Sequence, residues 1–384
     1  MATDSHLEAP ATFTEFDPQQ TCPLFSLPAE LRYEIFSHAL TSAPDKTRPI
    51  DQDAYCTRPG YETLSRTYAE LLRTCKRIYM EAWFMPFLLS EHPFYMAWQN
   101  RSPKRVMSVS KMQKCLDLIY ERHGKVEGGA VRIFAQLWAL EGTKDCSGVL
   151  SMKNFYPKTI TITIRYTDTW MWEENQALRI GGAWSGRLAL PSSVTRFKID
   201  FESIERRKDE VDYIVRGFAT RWCFRRRDGV NLVADGDKSI SVSRWTGSST
   251  LGDSRWVRDE TRPGKLDYYV GTVTWRPSKE PPSPDEPSNP SLRVDWRRPE
   301  VRSLTYNTIR TEFLQRAGVP EGATAEEAIF IIDEYRARVN ASDNDRSSLG
   351  EWTESEDANS EEEEEDDDDD DYDDDNSSED GNAE

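Results

Sequence analysis

Cysteine and histidine are the residue types with most scope for metal or nucleophile chemistry, and here their spacing limits both. The cysteines stand at 22, 56, 75, 115, 146 and 223, the histidines at 6, 38, 92 and 123. No Cys-x-x-Cys pair occurs and no second histidine lies a helical turn from the first, so a structural zinc site is not expected. The glycine-rich dinucleotide fingerprint, the P-loop, His-Glu-x-x-His and Gly-x-Ser-x-Gly are all missing. Gly181-Gly182-Ala183-Trp184-Ser185-Gly186 is the nearest glycine-rich segment, but it lacks the Lys-Ser/Thr partner of a phosphate loop and reads as a plain loop. Cys75 and Cys115 fall on apolar helical faces, where a thiol is buried and inert. No catalytic, cofactor-binding or metal-ligating residue is expected. An enzyme of unfamiliar type stays open as a third reading, and a deep pocket with convergent polar groups would be its signature.

Two other groupings carry chemistry. Asp168-Thr169-Trp170-Met171-Trp172-Glu173-Glu174 sets tryptophans beside carboxylates at a strand end. It reads as a rim of the core, with a ligand pocket as the alternative. Arg206-Arg207-Lys208 and Arg225-Arg226-Arg227 are short basic clusters able to meet phosphate. Contacts with the body's own acids, or with the acidic tail, are the alternatives.

That tail dominates the charge. The 384 residues carry a net charge of −19, yet Glu351 to Glu384 contains 21 acidic residues and no Lys or Arg. The remainder holds 49 basic against 47 acidic residues, a net of +2. The acidity therefore describes a disordered tail on a nearly neutral body, which has no broad field to attract nucleic acid or an anionic membrane. The polar, acidic N-terminus has no signal-peptide pattern, and no run of about 18 apolar residues exists to span a membrane. An intracellular chain with reduced thiols, cytoplasmic or nuclear, is expected.

The elements that must position these groups follow from periodicity. Leu27, Leu31, Ile35 and Ala39, widened by Phe36 and Leu40, form one apolar helical face after Pro28. Residues 41–66 read as a polar loop. A second helix carries Leu71, Leu72, Cys75, Ile78, Tyr79, Ala82 and Trp83, and a third covers Val109 to Glu121. Lys158–Tyr166 alternates isoleucine with threonine, the period of a half-buried strand, and Val194–Phe201 alternates likewise. Ile204–Trp222 returns to helical period. Strands are expected at Asn231–Ala234, Ser239–Trp245 and Tyr268–Trp275. Six prolines between Pro277 and Pro290 mark a stiff exposed linker. Helices follow at Asn307–Ala317, stopped by Gly318, and from Thr324, where Glu327 completes a capping box and Ala328, Ile331, Ile332 and Tyr335 point inward.

The expected fold is α+β: N-terminal helices, a mostly antiparallel sheet with packed helices, and a disordered acidic C-terminal tail. The expected division is 1–22 disordered, 23–122 helical, 123–276 an α+β body, 277–300 a Pro-rich linker or loop, 301–342 C-terminal helices and 343–384 the tail.

Leu27-Pro28-Ala29-Glu30-Leu31-Arg32-Tyr33-Glu34-Ile35-Phe36 resembles the opening of an F-box, a family that begins Leu-Pro-x-Glu-Leu/Ile and continues Ile-Phe. Leu71-Leu72-Arg73-Thr74-Cys75-Lys76-Arg77-Ile78-Tyr79 is similar to its second half. About 26 polar residues separate the two. With Ile-Arg-Tyr-Thr-Asp-Thr-Trp-Met-Trp-Glu and Thr-Val-Thr-Trp-Arg-Pro further on, residues 23–277 resemble fungal F-box-like proteins of unknown function. The resemblance implies a non-enzymatic protein-interaction module whose helices pack on the Skp adaptor of a cullin–RING ubiquitin ligase while the body recruits a substrate. On that match the partner-binding residues are Leu27, Pro28, Leu31, Ile35, Phe36, Leu72, Cys75, Ile78 and Tyr79, acting by helix-in-groove recognition. The alternatives are that both helices only complete the body's own core, and that the chain is a stand-alone binding protein whose acidic tail contacts basic partners such as histones.

Overall fold

Pro28, extended at φ −52° and ψ 152°, launches the first long helix, α1 (Ala29–Ala39), with Glu30 in its first turn and His38 in its last. The computed structural model describes residues 17–142, 146–279, 288–296 and 303–348. The acidic tail beyond 348 and residues 1–16 lie outside this set.

Residues 41–66 are not a plain loop. They contain a hairpin of β1 (Ser42–Pro49) and β2 (Thr63–Thr67), antiparallel, with a register shift between Pro44 and Pro49. Most of its side chains are exposed. A ribbon without a buried face leaves no hydrophobic alternation in its sequence. The second expected helix is also broken. A single 3₁₀ turn, Leu71–Arg73, stops where the Thr74 hydroxyl donates to the Leu71 carbonyl at 2.7 Å. Cys75 is extended at φ −155° and caps α2 (Lys76–Ala82), its Sγ accepting the Ile78 N–H at 3.5 Å. Cys75 thus precedes the helix, half-buried, instead of lying on its apolar face. The short helix α3 (Met85–Leu89) follows, and then β3 (Glu91–Met96).

The helix α4 (Val109–His123) is capped by Ser108 and ends at Gly124, φ +69°. Then come β4 (Ala130–Ala135), β5 (Thr159–Ile164), β6 (Arg196–Ile204), α5 (Lys208–Arg221), β7 (Phe224–Arg225), β8 (Asn231–Val233), β9 (Ile240–Ser248) and the long β10 (Lys265–Pro277). Eight of these strands form one sheet in the order β3-β4-β5-β6-β10-β8-β7, with β9 also paired to β10. The fold is α+β, and antiparallel pairings predominate. One arm is nevertheless parallel: β3 to β4, β4 to β5 and β5 to β6. Parallel neighbours need long crossovers, which explains why α4 lies between β3 and β4.

The register sorts side chains into two layers. Phe94, Ile133, Ile162, Ile199, Val273 and Ile240 stand opposite one another across the sheet. They belong to the main core, which α4 closes with Met112 and Leu116, and α5 with Val211, Ile214, Val215 and Phe218. At Gly271 the helix approaches so closely that a Cβ would lie 2.7 Å from Val215 Cγ1. One residue along each strand, the opposite face presents Tyr95, Phe134, Thr163, Asp200, Thr272 and Ser241. Thr159–Ile164 is buried on both faces, not half-buried. Its threonines face a polar layer inside the protein.

The expected Pro-rich linker is corrected over 288–296. Leu292–Arg293 pairs with Arg179–Ile180, and Leu292 and Val294 are buried in the main core. The Asn289 side chain donates to the Ser185 hydroxyl at 2.7 Å and to the Cys223 carbonyl at 2.9 Å, and accepts the Cys223 N–H at 2.9 Å. Apolar residues every second position, not the preceding prolines, decide this segment's fate. Since β3 also belongs to the central sheet, the expected boundaries at 122 and 277 fall inside one unit that extends to Asp333.

Toward the C-terminus, Ile309 lies in a short strand opposite Arg255, and α6 (Thr311–Ala317) starts after it. Gly318 closes α6 at φ +70°, the left-handed conformation its stop signal implies. The capping box is present: the Thr324 N–H donates to Glu327 at 2.8 Å and the Glu327 N–H to Thr324 Oγ1 at 3.2 Å. It opens α7 (Ala325–Ser348), which runs past the expected end at 342. Ala325, Ala328, Ile329 and Ile332 are its buried positions, and Ile331 is only half-buried. Among the described residues no helix is long and apolar enough to cross a membrane.

Candidate functional site

The partner-binding positions expected from the sequence divide into two sets. Phe36 and Ile78 are buried with Leu40, Ala82 and Met85 in a small N-terminal cluster, against which Leu72 and Cys75 pack. Tyr79 is half-buried. Arg32 fastens α1 to α2 by an ion pair with Glu81 at 2.7 Å. Pro28, Leu31 and Ile35 remain outside. Leu31 is 52% exposed and Ile35 42%, one turn apart on α1, with half-buried Leu27 at the helix start. Tyr33 is also half exposed. One helix therefore buries Phe36 and Leu40 and shows a second apolar stripe to solvent. Water-exposed leucine and isoleucine at i and i+4 form the pattern that a groove on a partner takes up.

A second candidate lies over the polar face of the sheet. Arg132 donates to Asp200 at 2.5 Å, to Thr163 Oγ1 at 2.8 Å and to Glu91 at 2.9 Å. Burial alone would lower its pKa, and the Asp200 and Glu91 carboxylates outweigh burial and raise it. Glu202 accepts from Trp245 Nε1 at 3.0 Å and pairs with Arg58 at 3.2 Å. Tyr61 meets the ring of Phe134 edge-on at 5.1 Å and donates to Glu91. Residues 54–61 thus cover this face by matching its charges.

Arg165 extends the same layer to the surface. It is 3% exposed and locked to Asp168 by bonds of 2.6 and 3.0 Å. Burial depresses its pKa, but the adjacent carboxylate prevails and holds it above the usual arginine range. Its Nη1 donates to the carbonyls of Tyr55 and Arg101, each at 3.1 Å. One buried cation therefore ties the 50–56 segment to the 98–105 segment, the two walls of a groove of about 1110 Å³. Arg48, Asp51, Trp98, Arg101, Lys104 and Arg105 line it, above an apolar floor that includes Ile50, Cys56 and Leu64. Burial raises the Cys56 thiol pKa, so this sulfur is a poor nucleophile.

The other groups singled out by sequence are absorbed into structure. Asp168 holds Arg165, while Trp172 packs with Tyr166 and Trp256 in a second aromatic core cluster. Trp170 Nε1 donates to Glu141 at 2.9 Å. The 168–174 segment is a rim of the core. Arg206 and Arg258 converge on Asp259, which also accepts from Tyr166 at 2.8 Å. Desolvation would raise the Asp259 pKa, but the two guanidinium groups lower it. Arg207 pairs with Glu210 at 3.1 Å, Arg226 with Asp228, and Arg227 donates to the Leu150 carbonyl at 2.6 Å. These arginines serve the body's own acids and carbonyls. Ser185 and Gly182 of the glycine-rich segment bond to Asn289 and Ser291. Cys115 is half-buried, with its thiol pKa raised by burial. Among the described residues no group of three or more His, Cys, Asp or Glu could hold a metal ion.

Sequence reasoning did not single out Arg165, Trp98 or the groove cations. Arg48 and Arg101–Arg105 are about fifty residues apart in the chain, and only the tertiary fold brings them to one place. Compared with protein-family models, with curated proteins and with solved structures, the chain matches none.

Proposed function

We propose that this protein is an interaction module that docks on a partner through the outer face of α1, in the manner of an F-box-like substrate receptor on the Skp adaptor of a cullin–RING ubiquitin ligase. The observation that carries the reading is the exposure of Leu31 and Ile35 on a helix whose inner face, Phe36 and Leu40, is already buried. A helix needed only for the local core would have no use for the outer stripe. Pro28 and Leu27 continue it toward the helix start, where the resemblance to the F-box opening also begins.

The division of anchors selects the test. Phe36→Asp would place a charge in the small N-terminal cluster and confound folding with binding. Leu31→Asp with Ile35→Asp alters side chains that are about half exposed and lie outside that cluster. In a pull-down with the Skp adaptor, the wild-type chain should be captured and the double variant should lose roughly tenfold or more, at ~1.5–3 kcal/mol per buried apolar anchor. Thermal unfolding of the two proteins should coincide. Equal capture of both, or no capture of the wild type, would overturn the proposal.

A further inference from the structure

The groove held by Arg165 combines a rigid aromatic surface with loosely held cations. Trp98 is 64% exposed, an unusual setting for the largest apolar side chain. It is nevertheless fixed in place. Its backbone N–H donates to Gln136 Oε1 at 2.8 Å, the same oxygen accepts Trp138 Nε1 at 3.1 Å, and the two indoles pack 5.1 Å apart with their planes tilted by 34°. Gln136 is itself 6% exposed. One face of the indole is thus backed by protein while the residue as a whole stays open to solvent. Arg101 stands beside it, its guanidinium 3.6 Å from the centre of the Tyr55 ring. Arg48, Lys104 and Arg105 are exposed and make no hydrogen bond or ion pair through their side chains among the described residues. Among the described residues Asp51 is the one carboxylate on the lining.

We propose that this groove is a binding site for a free nucleotide, with the base on Trp98 and the phosphates on Lys104, Arg105 and Arg48. The lining carries four cations and one carboxylate, whereas the body without the tail has a net charge of only +2. Its positive charge is therefore a local feature, and an anion is the ligand that complements Arg48, Lys104 and Arg105. A bare anion would leave the indole unused. An aromatic base supplies the matching π-face, and stacking of this kind is worth about 1–3 kcal/mol per base. Arg101, already stacked on Tyr55, can extend the platform as well as the charge. At about 1110 Å³ the groove lies just above the roughly 300–1,000 Å³ of small-molecule sites, room enough for a nucleotide. An extended nucleic-acid strand is disfavoured, because the body beyond the groove is nearly neutral and offers a long polyanion no broad positive field. The site is separate from the α1 face, and the proposal stands or falls independently of adaptor binding.

Isothermal titration of the full-length chain with ATP in magnesium-free buffer provides the test. Saturable binding is expected. Trp98→Ala should weaken it roughly tenfold or more, and Trp98→Phe, which keeps a π-face, should restore most of the loss. Lys104→Ser with Arg105→Ser should also weaken it roughly tenfold or more, and more steeply at low salt. Adenosine and tripolyphosphate should each bind more weakly than ATP. The absence of saturable ATP binding, an unchanged affinity in Trp98→Ala, or tripolyphosphate binding as tightly as ATP would overturn the proposal. So would tighter binding of a ten-nucleotide oligodeoxyadenylate than of ATP.

Discussion

Replacing Arg165 by leucine is expected to lower the unfolding free energy by about 3–5 kcal/mol, the cost of stranding a buried charge without its partner. Asp168 is 3% exposed; both its oxygens accept from this guanidinium, at 2.6 and 3.0 Å, and the Arg165 backbone N–H, which the substitution keeps, adds one bond at 3.1 Å. The substitution also withdraws the donors to Tyr55 and Arg101, so the two groove walls lose their common tie. Urea unfolding followed by tryptophan fluorescence measures the loss. The double variant Arg165→Leu, Asp168→Leu separates the two contributions. It removes the orphaned carboxylate and should recover most of the stability, because a buried ion pair is worth little against apolar residues of similar size. It should not recover the groove, whose tie needs the cation. A single variant as stable as the wild type would show that Asp168 finds solvent or another donor and that the buried pair is not essential.

The same buried charges explain what the sequence could and could not disclose. Alternating Ile and Thr over 159–164 points to a strand, and the strand is there, but the threonines do not face water. Thr163 bonds Arg132 and Asp200, and Thr159 bonds Arg196, all from neighbouring strands. Hydrophobic periodicity reports that two faces differ, and it cannot tell solvent from an internal ionic layer. Helix α5 was legible because Val211, Ile214, Val215 and Phe218 make an unbroken dry stripe. β3 and β4 were not, since Pro93 and Arg132 interrupt short runs that only their parallel pairing rationalises. The hairpin β1–β2 has no dry face to advertise. At the α1 face, sequence supplied the residues but not their direction. Leu31, Ile35 and Phe36 are equivalent apolar matches in the motif, and packing alone sends Phe36 inward and leaves Leu31 and Ile35 outside. The Trp98 groove had a partial local signature, since Arg101, Lys104 and Arg105 follow Trp98 within seven residues, but Arg48 comes from a distant segment and only the tie through Arg165 brings the two together.

Gly182→Ala is expected to detach the segment 288–296 from the core and to destabilise the protein by several kcal/mol. A Cβ at residue 182 would lie 2.0 Å from the Asn289 carbonyl oxygen and 2.7 Å from its carbon. Both are backbone atoms, so no side chain can swing away, and the clash exceeds the ordinary overpacking cost of about 1–3 kcal/mol. If the segment moves to relieve it, its anchors are lost together. Leu292 and Val294 are 1% and 2% exposed, each worth ~1.5–3 kcal/mol when buried. The Asn289 bonds to Ser185 and Cys223, and the bond from Trp222 Nε1 to the Pro290 carbonyl at 2.8 Å, go with them. Limited proteolysis distinguishes this outcome from general unfolding: new cuts should appear first within 288–296, while the α5 and β6 region stays protected. Ser291→Ala serves as the control, because it removes only a 3.3 Å bond from the Gly182 N–H and leaves the backbone approach intact. Cuts distributed evenly through the sheet would instead mean that the segment and the sheet unfold as one unit, in which case Leu292 and Val294 are ordinary members of the core and not a separable strap.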